Sequence, residues 1–246
     1  MNLITVVFAL SFYLASAVLG YGLLMKVRQY WRTPAPLKIP TTPAPTTRWG
    51  AILRMMREVV LFSSLFKASK WTWIFGWLLH AALLLVFLRH LRYVTEPVWA
   101  VAQIAQPLGI YAGFVMLLGL IGLAVRRLAV ARVRYISAPS DHLMLALLAA
   151  IVCSGLLLKF VLPTDVAGFK AFMLGLLRFD WQPIPTDALL LTHLVLVLVL
   201  MIIFPFSKLL HAPGLFFSPT RNQVDNSRER RHAVRWTEEL RRPPDG

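Results

Sequence analysis

The sequence predicts an all-α integral membrane protein of five transmembrane helices, with the N-terminus outside and the C-terminus in the cytoplasm. Three observations predict it. Of 246 residues, 58% are hydrophobic and 15% charged, far from the mix of a soluble domain. Five apolar stretches, roughly 3–25, 72–94, 104–125, 142–162 and 187–209, each supply about the 20 helical residues that a hydrocarbon core needs. Their apolarity is continuous rather than alternating, which disfavours a strand barrel. Lysine and arginine gather in alternate connections: of 26, nine fall in 26–70, four in 126–134 and eight in Lys208 and the chain beyond, leaving five near the other face. This positive-inside pattern sets the orientation, and it accounts for the net charge of +15 without nucleic acid as a partner.

Residues 1–32 form the first span. The stretch "MNLITVVFALSFYLASAVLGYGLLMKVRQYW" lacks a basic n-region and its apolar run is too long for a signal peptide, so it reads as a retained helix. Residues 33–70 form a cytoplasmic linker and an amphipathic helix. "TPAPLKIPTTPAPTTRWG" is too rich in proline and threonine for a long helix and predicts an extended surface segment. "AILRMMREVVLFSSLFKASK" then sets Ile52, Met55, Met56, Val59, Phe62 and Phe66 at helical spacing, a pattern that either lies along the inner interface or docks a partner.

Residues 71–211 form a four-helix core. Trp71, Trp73 and Trp77 open span two and Tyr93 and Trp99 close it, as interfacial anchors do. Ser140 or Asp141 is placed to cap span four, and the connection 163–186 holds a short apolar stretch suited to a helix on the membrane surface. The single cysteine, Cys153, falls in mid-span, so neither a disulfide framework nor a CxxCH covalent haem site is present. Residues 212–246 form a cytoplasmic tail expected to be exposed and ordered only where a soluble partner holds it.

The histidines carry the chemistry. An intramembrane imidazole is costly and marks function unless a neighbouring helix simply bonds it. Span two, "WTWIFGWLLHAALLLVFLRHLRY", holds His80 toward the cytoplasm and His90 near its outer end; span five, "HLVLVLVLMIIFPFSKLLH", runs the other way with His193 outside and His211 inside. The result is two depth-matched pairs, His90 with His193 and His80 with His211. Neutral imidazoles from opposite sides of a porphyrin are what six-coordinate, noncovalent haem requires. The rises differ: ten residues in span two cover about 15 Å and eighteen in span five about 27 Å, an offset left to tilt and to a bend at Pro205. On a continuous helix eighteen residues close five turns, which sets His193 and His211 on one face. His142 reads as an interfacial or capping residue, and His232 as solvated. Arg89 and Arg92 beside His90, with Arg126, Arg127 and Lys208 at the inner face, are candidate partners for haem propionates, although topology and snorkelling account more readily for any one of them. The region near His90, Gly109, Gly113 and Arg92 is a candidate quinone pocket, although small residues in membrane helices also serve close packing.

With these residues in hand, the chain resembles the cytochrome b family of the respiratory nitrate reductase gamma subunit. The resemblance lies in "LLHAALLLVFLRH", in "RRLAVARVR" and "SD" before span four, and above all in "HLVLVLVLMIIFPFSKLLH". It implies two b haems ligated through iron by His80, His90, His193 and His211, and electron transfer between membrane quinone and a cytoplasmic iron–sulfur subunit, in a bacterial cytoplasmic membrane complex. The linker and "REVVLFSSLFKASKWTW" resemble the branch related to heterodisulfide reductase, and within it most the membrane cytochrome b of the complex associated with dissimilatory sulfite reductase. A nitrate reductase gamma subunit is the alternative. A histidine-containing proton or ion transporter is disfavoured, because none of the eleven carboxylates falls near mid-membrane. A purely structural anchor needs no intramembrane histidine.

Overall fold

The computed structural model describes residues 2–34, 40 and 43–226, so the tail from 227, with His232 and much of the proline-rich linker, lies outside the described residues. Among the described residues all regular structure is helical, in chain order α1 Leu3–Arg32, α2 Arg48–Leu61, α3 Ser63–Ala68, α4 Lys70–His90, α5 Ala100–Ala129, α6 Ala131–Ile136, α7 Pro139–Phe160, α8 Val166–Arg178, α9 Ala188–Ile203, α10 Ala212–Phe217 and α11 Pro219–Asn222. Five of them are long and apolar enough to cross a membrane: α1, α4 with its 3-10 extension to Tyr93, α5, α7, and α9 with its 3-10 extension to Phe206. These match the five predicted spans.

The chain divides into two compact units. The first comprises Met1–Leu23 and Ser64–Leu210. In it α4 packs along α5, α5 on α7 and α7 on α9, while α4 and α9 make no extended contact. Leu79 and Ala82 of α4, Ala112, Met116 and Leu120 of α5 and Val152 of α7 form one core. A second core joins Phe8, Ala9, Phe12 and Ala15 of α1 to Phe172 and Leu176 of α8 and to Leu190, Leu194 and Leu198 of α9. The connection 163–186 thus holds more than a surface helix. Asp165 caps α8 by accepting from the Ala167 and Gly168 amides, Phe172 is fully buried, and Tyr13 Oη donates to the Leu176 carbonyl (2.8 Å) while accepting from Trp181 Nε1 (3.0 Å).

The second unit takes Leu24–Ser63 and the chain beyond Leu210. Here the predicted amphipathic helix is broken in two at Phe62, which adopts a left-handed conformation (φ 50°) and bonds its amide to the Glu58 carbonyl. Beside the break the Ser63 hydroxyl donates to Glu58 Oε1 (2.9 Å). Where the sequence predicts a tail ordered only by a partner, residues 212–226 pack within the chain: Phe217 meets Tyr30 and Trp31, Arg221 pairs with Glu58 (3.2 Å), and the Asp225 amide bonds to the Pro45 carbonyl. Exposed Trp49, Ile52, Leu53, Met56 and Val60 then line the outward side of α2, while Ala51 and Glu58 face inward.

Span four starts one turn earlier than expected. Its N-cap is Ala138, and Asp141, at the third helical position, accepts from the Ala138 amide (3.0 Å) instead of capping from outside. Span five departs most. The α-helix stops at Ile203, tightens to 3-10 through Phe206 and turns over residues 207–211, so His193 and His211 do not share one helical face. Pro205 is the reason: it has no amide to bond back to Met201, and the Ser207 hydroxyl then engages the Phe204 carbonyl and the Leu209 amide.

Candidate haem-binding histidines

Three of the four histidines sit on spans of the first unit, each with a defined Nδ1 partner. His80 Nδ1 lies 2.7 Å from the Gly76 carbonyl and His90 Nδ1 2.6 Å from the Val86 carbonyl, both one turn back on α4. A carbonyl only accepts, so each Nδ1 carries the proton and the lone pair resides on Nε2. His193 Nδ1 lies 2.8 Å from Ser154 Oγ on α7. This is the arrangement found behind metal-ligating imidazoles, where the second nitrogen is tethered and the first is left basic.

The helices that carry His90 and His193, α4 and α9, make no extended contact with each other. Two packed helices stand about 8–10 Å apart, and a planar group held between two imidazoles needs more room than that. Tyr93 stands edge-on to the His90 ring (5.7 Å between centroids) and to Phe169 of α8 (5.2 Å). Among the described residues no cluster of three or more His, Cys, Asp or Glu could hold a bare metal ion. An iron porphyrin asks the protein for only two axial donors, so histidines in pairs fit it. His211 belongs to the second unit, on the turn before α10, and its pairing with His80 rests on the sequence alone.

Four of the five candidate cations are already engaged. Arg89 donates to the Gln106 carbonyl (3.2 Å) and Arg92 to Gln106 Oε1 (3.3 Å), while Gln106 Nε2 donates back to the Arg89 carbonyl, which ties the end of α4 to α5. Arg127 and Lys208 both pair with Asp141, at 3.2 Å and 3.0 Å, and Arg126 stands outside that network. At Gly109 an added Cβ would press on Arg89 Cβ (2.9 Å), and at Gly113 on Leu156 (2.7 Å). Both glycines therefore serve close helix packing rather than an open pocket. The sequence reading missed Ser154 and the junction role of Asp141. A serine in an apolar run carries no signal of its own; its spacing from the histidine exists only in three dimensions.

Five long apolar helices, two of them carrying the candidate histidines, indicate a multi-pass membrane protein. The nitrate reductase gamma subunit family matches residues 50–225, and the chain belongs to that family. It is also 32% identical to the Hdr-like menaquinol oxidoreductase cytochrome b-like subunit of Archaeoglobus fulgidus, over 91% of this chain and 81% of the relative. The protein of the same name from Archaeoglobus profundus is 32% identical over 91% and 80%. Both names side with the heterodisulfide-reductase-related branch to which the linker residues pointed.

Proposed function

We propose that the chain is the di-haem cytochrome b subunit of a membrane oxidoreductase, passing electrons between the quinone pool and a cytoplasmic iron–sulfur partner in a sulfur-metabolising respiratory complex. The observation that carries it is a set of histidines on two apolar spans, His80 and His90 on α4 and His193 on α9, each with Nδ1 within hydrogen-bond distance of a partner and Nε2 left as the basic nitrogen. Membership of the gamma-subunit family and the menaquinol oxidoreductase names of the two relatives support the same reading.

In this reading His90 and His193 hold the outer haem and His80 and His211 the inner one. Haem supplies the one-electron chemistry that no side chain here possesses. The protein's part is to tether each imidazole, to keep water out with the cores of the first unit and to set cations at the haem edges. Arg89 and Arg92, fixed by Gln106, present such an edge beside His90. Arg127 and Lys208 share one carboxylate, which lowers the charge they offer.

The test is a haem count with spectroscopy on the purified chain. The expected result is a dithionite-reduced b-type spectrum with two haems per chain; His90→Ala and His193→Ala each lose the same haem, and His80→Ala loses the other. A folded chain purified haem-free from haem-sufficient cells overturns the proposal.

A further inference from the structure

We propose that Ser154 is the positioning residue of His193, selecting its tautomer and setting the reduction potential of the group that His193 binds. The inference rests on the functional reading above and adds a residue that neither the family match nor the relatives' names assign.

Among the described residues Ser154 is one of few buried polar side chains, 7% exposed and in α7. Its hydroxyl lies 2.8 Å from the Ala150 carbonyl and 3.0 Å from the Ile151 carbonyl, four and three residues back on its own helix. A hydroxyl that donates to either carbonyl presents its oxygen as an acceptor to His193 Nδ1, 2.8 Å away. In that arrangement Nδ1 carries the proton and the lone pair resides on Nε2. Gly155, the next residue, seats the same ring: an added Cβ would stand 3.3 Å from His193 Cε1 and 3.9 Å from Nδ1. One turn of α7 thus fixes both the rotation and the protonation of a side chain on α9.

His80 and His90 bond through Nδ1 to backbone carbonyls of their own helix, which no side-chain substitution removes. The Ile151 carbonyl of α7 also acts on the His193 ring, and Ser154 is the side-chain partner beside it. Hydrogen bonding from Nδ1 makes the ligand more basic and favours the oxidised iron. Removing the acceptor raises the potential.

The experiment is a spectroelectrochemical titration of the full-length chain in detergent, with electron paramagnetic resonance of the oxidised protein. Ser154→Ala is expected to retain both haems and to shift one potential upward by up to about tenfold in the oxidised-to-reduced ratio, which is about 59 mV for one electron. The second haem stays unchanged as an internal reference. Ser154→Thr restores the wild-type value, because a helical threonine can make the same back-bond. Gly155→Ala keeps the hydroxyl but displaces the ring, and is expected to move the g-values of the same haem. Should Ser154→Ala lose that haem altogether while Ser154→Thr keeps it, the positioning role is supported as well. Two intact haems whose potentials and signals are unmoved by both Ser154→Ala and Gly155→Ala overturn the inference and leave the proposed function standing. A haem-free wild type overturns the function itself.

Discussion

Asp141 shows how one side chain can organise a membrane-protein end. It is the single carboxylate within the five candidate spans, 11% exposed, and it gathers the Ala138 amide, the Arg127 guanidinium and the Lys208 ammonium. Arg127 at the end of α5, Asp141 at the start of α7 and Lys208 after α9 are thereby joined. The two cations are not equivalent. Arg127 has a side chain 26% exposed, whereas that of Lys208 is 72% exposed and can exchange its partner for water. Asp141→Asn keeps the volume and an acceptor for the Ala138 amide but removes the counter-charge of a half-buried arginine. The expected cost is about 1–2 kcal/mol, seen as a fall of several degrees in the thermal unfolding midpoint in detergent. Lys208→Ala is expected to cost no more than about 0.5 kcal/mol. Equal falls for the two variants would mean that Lys208 alone carries the effect of Asp141, and would contradict this ranking.

At the level of helices, the close approach of α4 and α5 depends on glycine. A Cβ at Gly119 would lie 3.0 Å from the Leu79 amide nitrogen and 3.0 Å from the Phe75 carbonyl, and a Cβ at Gly122 would meet the Phe75 ring. Backbone atoms cannot swing aside as a side chain can, so Gly119→Ala must push the helices apart, at about 1–3 kcal/mol. Gly20→Ala, with nothing within 4 Å of its added Cβ, is the control, and the same detergent melt should leave it near wild type. The spans themselves were legible because lipid demands a length and an apolarity that composition displays directly. Their ends were less so. Proline at 205 announced a bend, yet the stop at Ile203 followed from where Ser207 could take over the freed backbone groups. The break at Phe62 was hidden, since Val59, Phe62 and Phe66 continue the helical spacing across it. The histidines were legible as polar atoms in apolar surroundings. The serine that bonds to His193 was not, because hydroxyls are tolerated in membrane helices by bonding to their own backbone.

For the molecule as a whole, orientation follows from where charge is left to face the membrane surface. At the α8 end Lys170 pairs with Glu96, Arg89 and Arg92 are bound to Gln106, and Asp165, Asp180 and Asp187 add acidic groups nearby in sequence. At the Asp141 end one carboxylate stands against Arg127 and Lys208 with Arg126 beside them, and the basic connection 26–70 adjoins spans one and two on the side of Lys70. Cationic excess on short connections resists translocation, so the Asp141 end should remain in the cytoplasm and the α8 end should be exported. Fusing alkaline phosphatase after Arg178 is expected to give activity, because that enzyme matures only outside, and fusing a fluorescent protein after Gly246 is expected to give fluorescence from the cytoplasm. The reverse pattern would set His90 and His193 at the cytoplasmic face. It would then turn the His211 side away from any cytoplasmic iron–sulfur protein, and the proposed electron route would have to run in the opposite sense through the membrane.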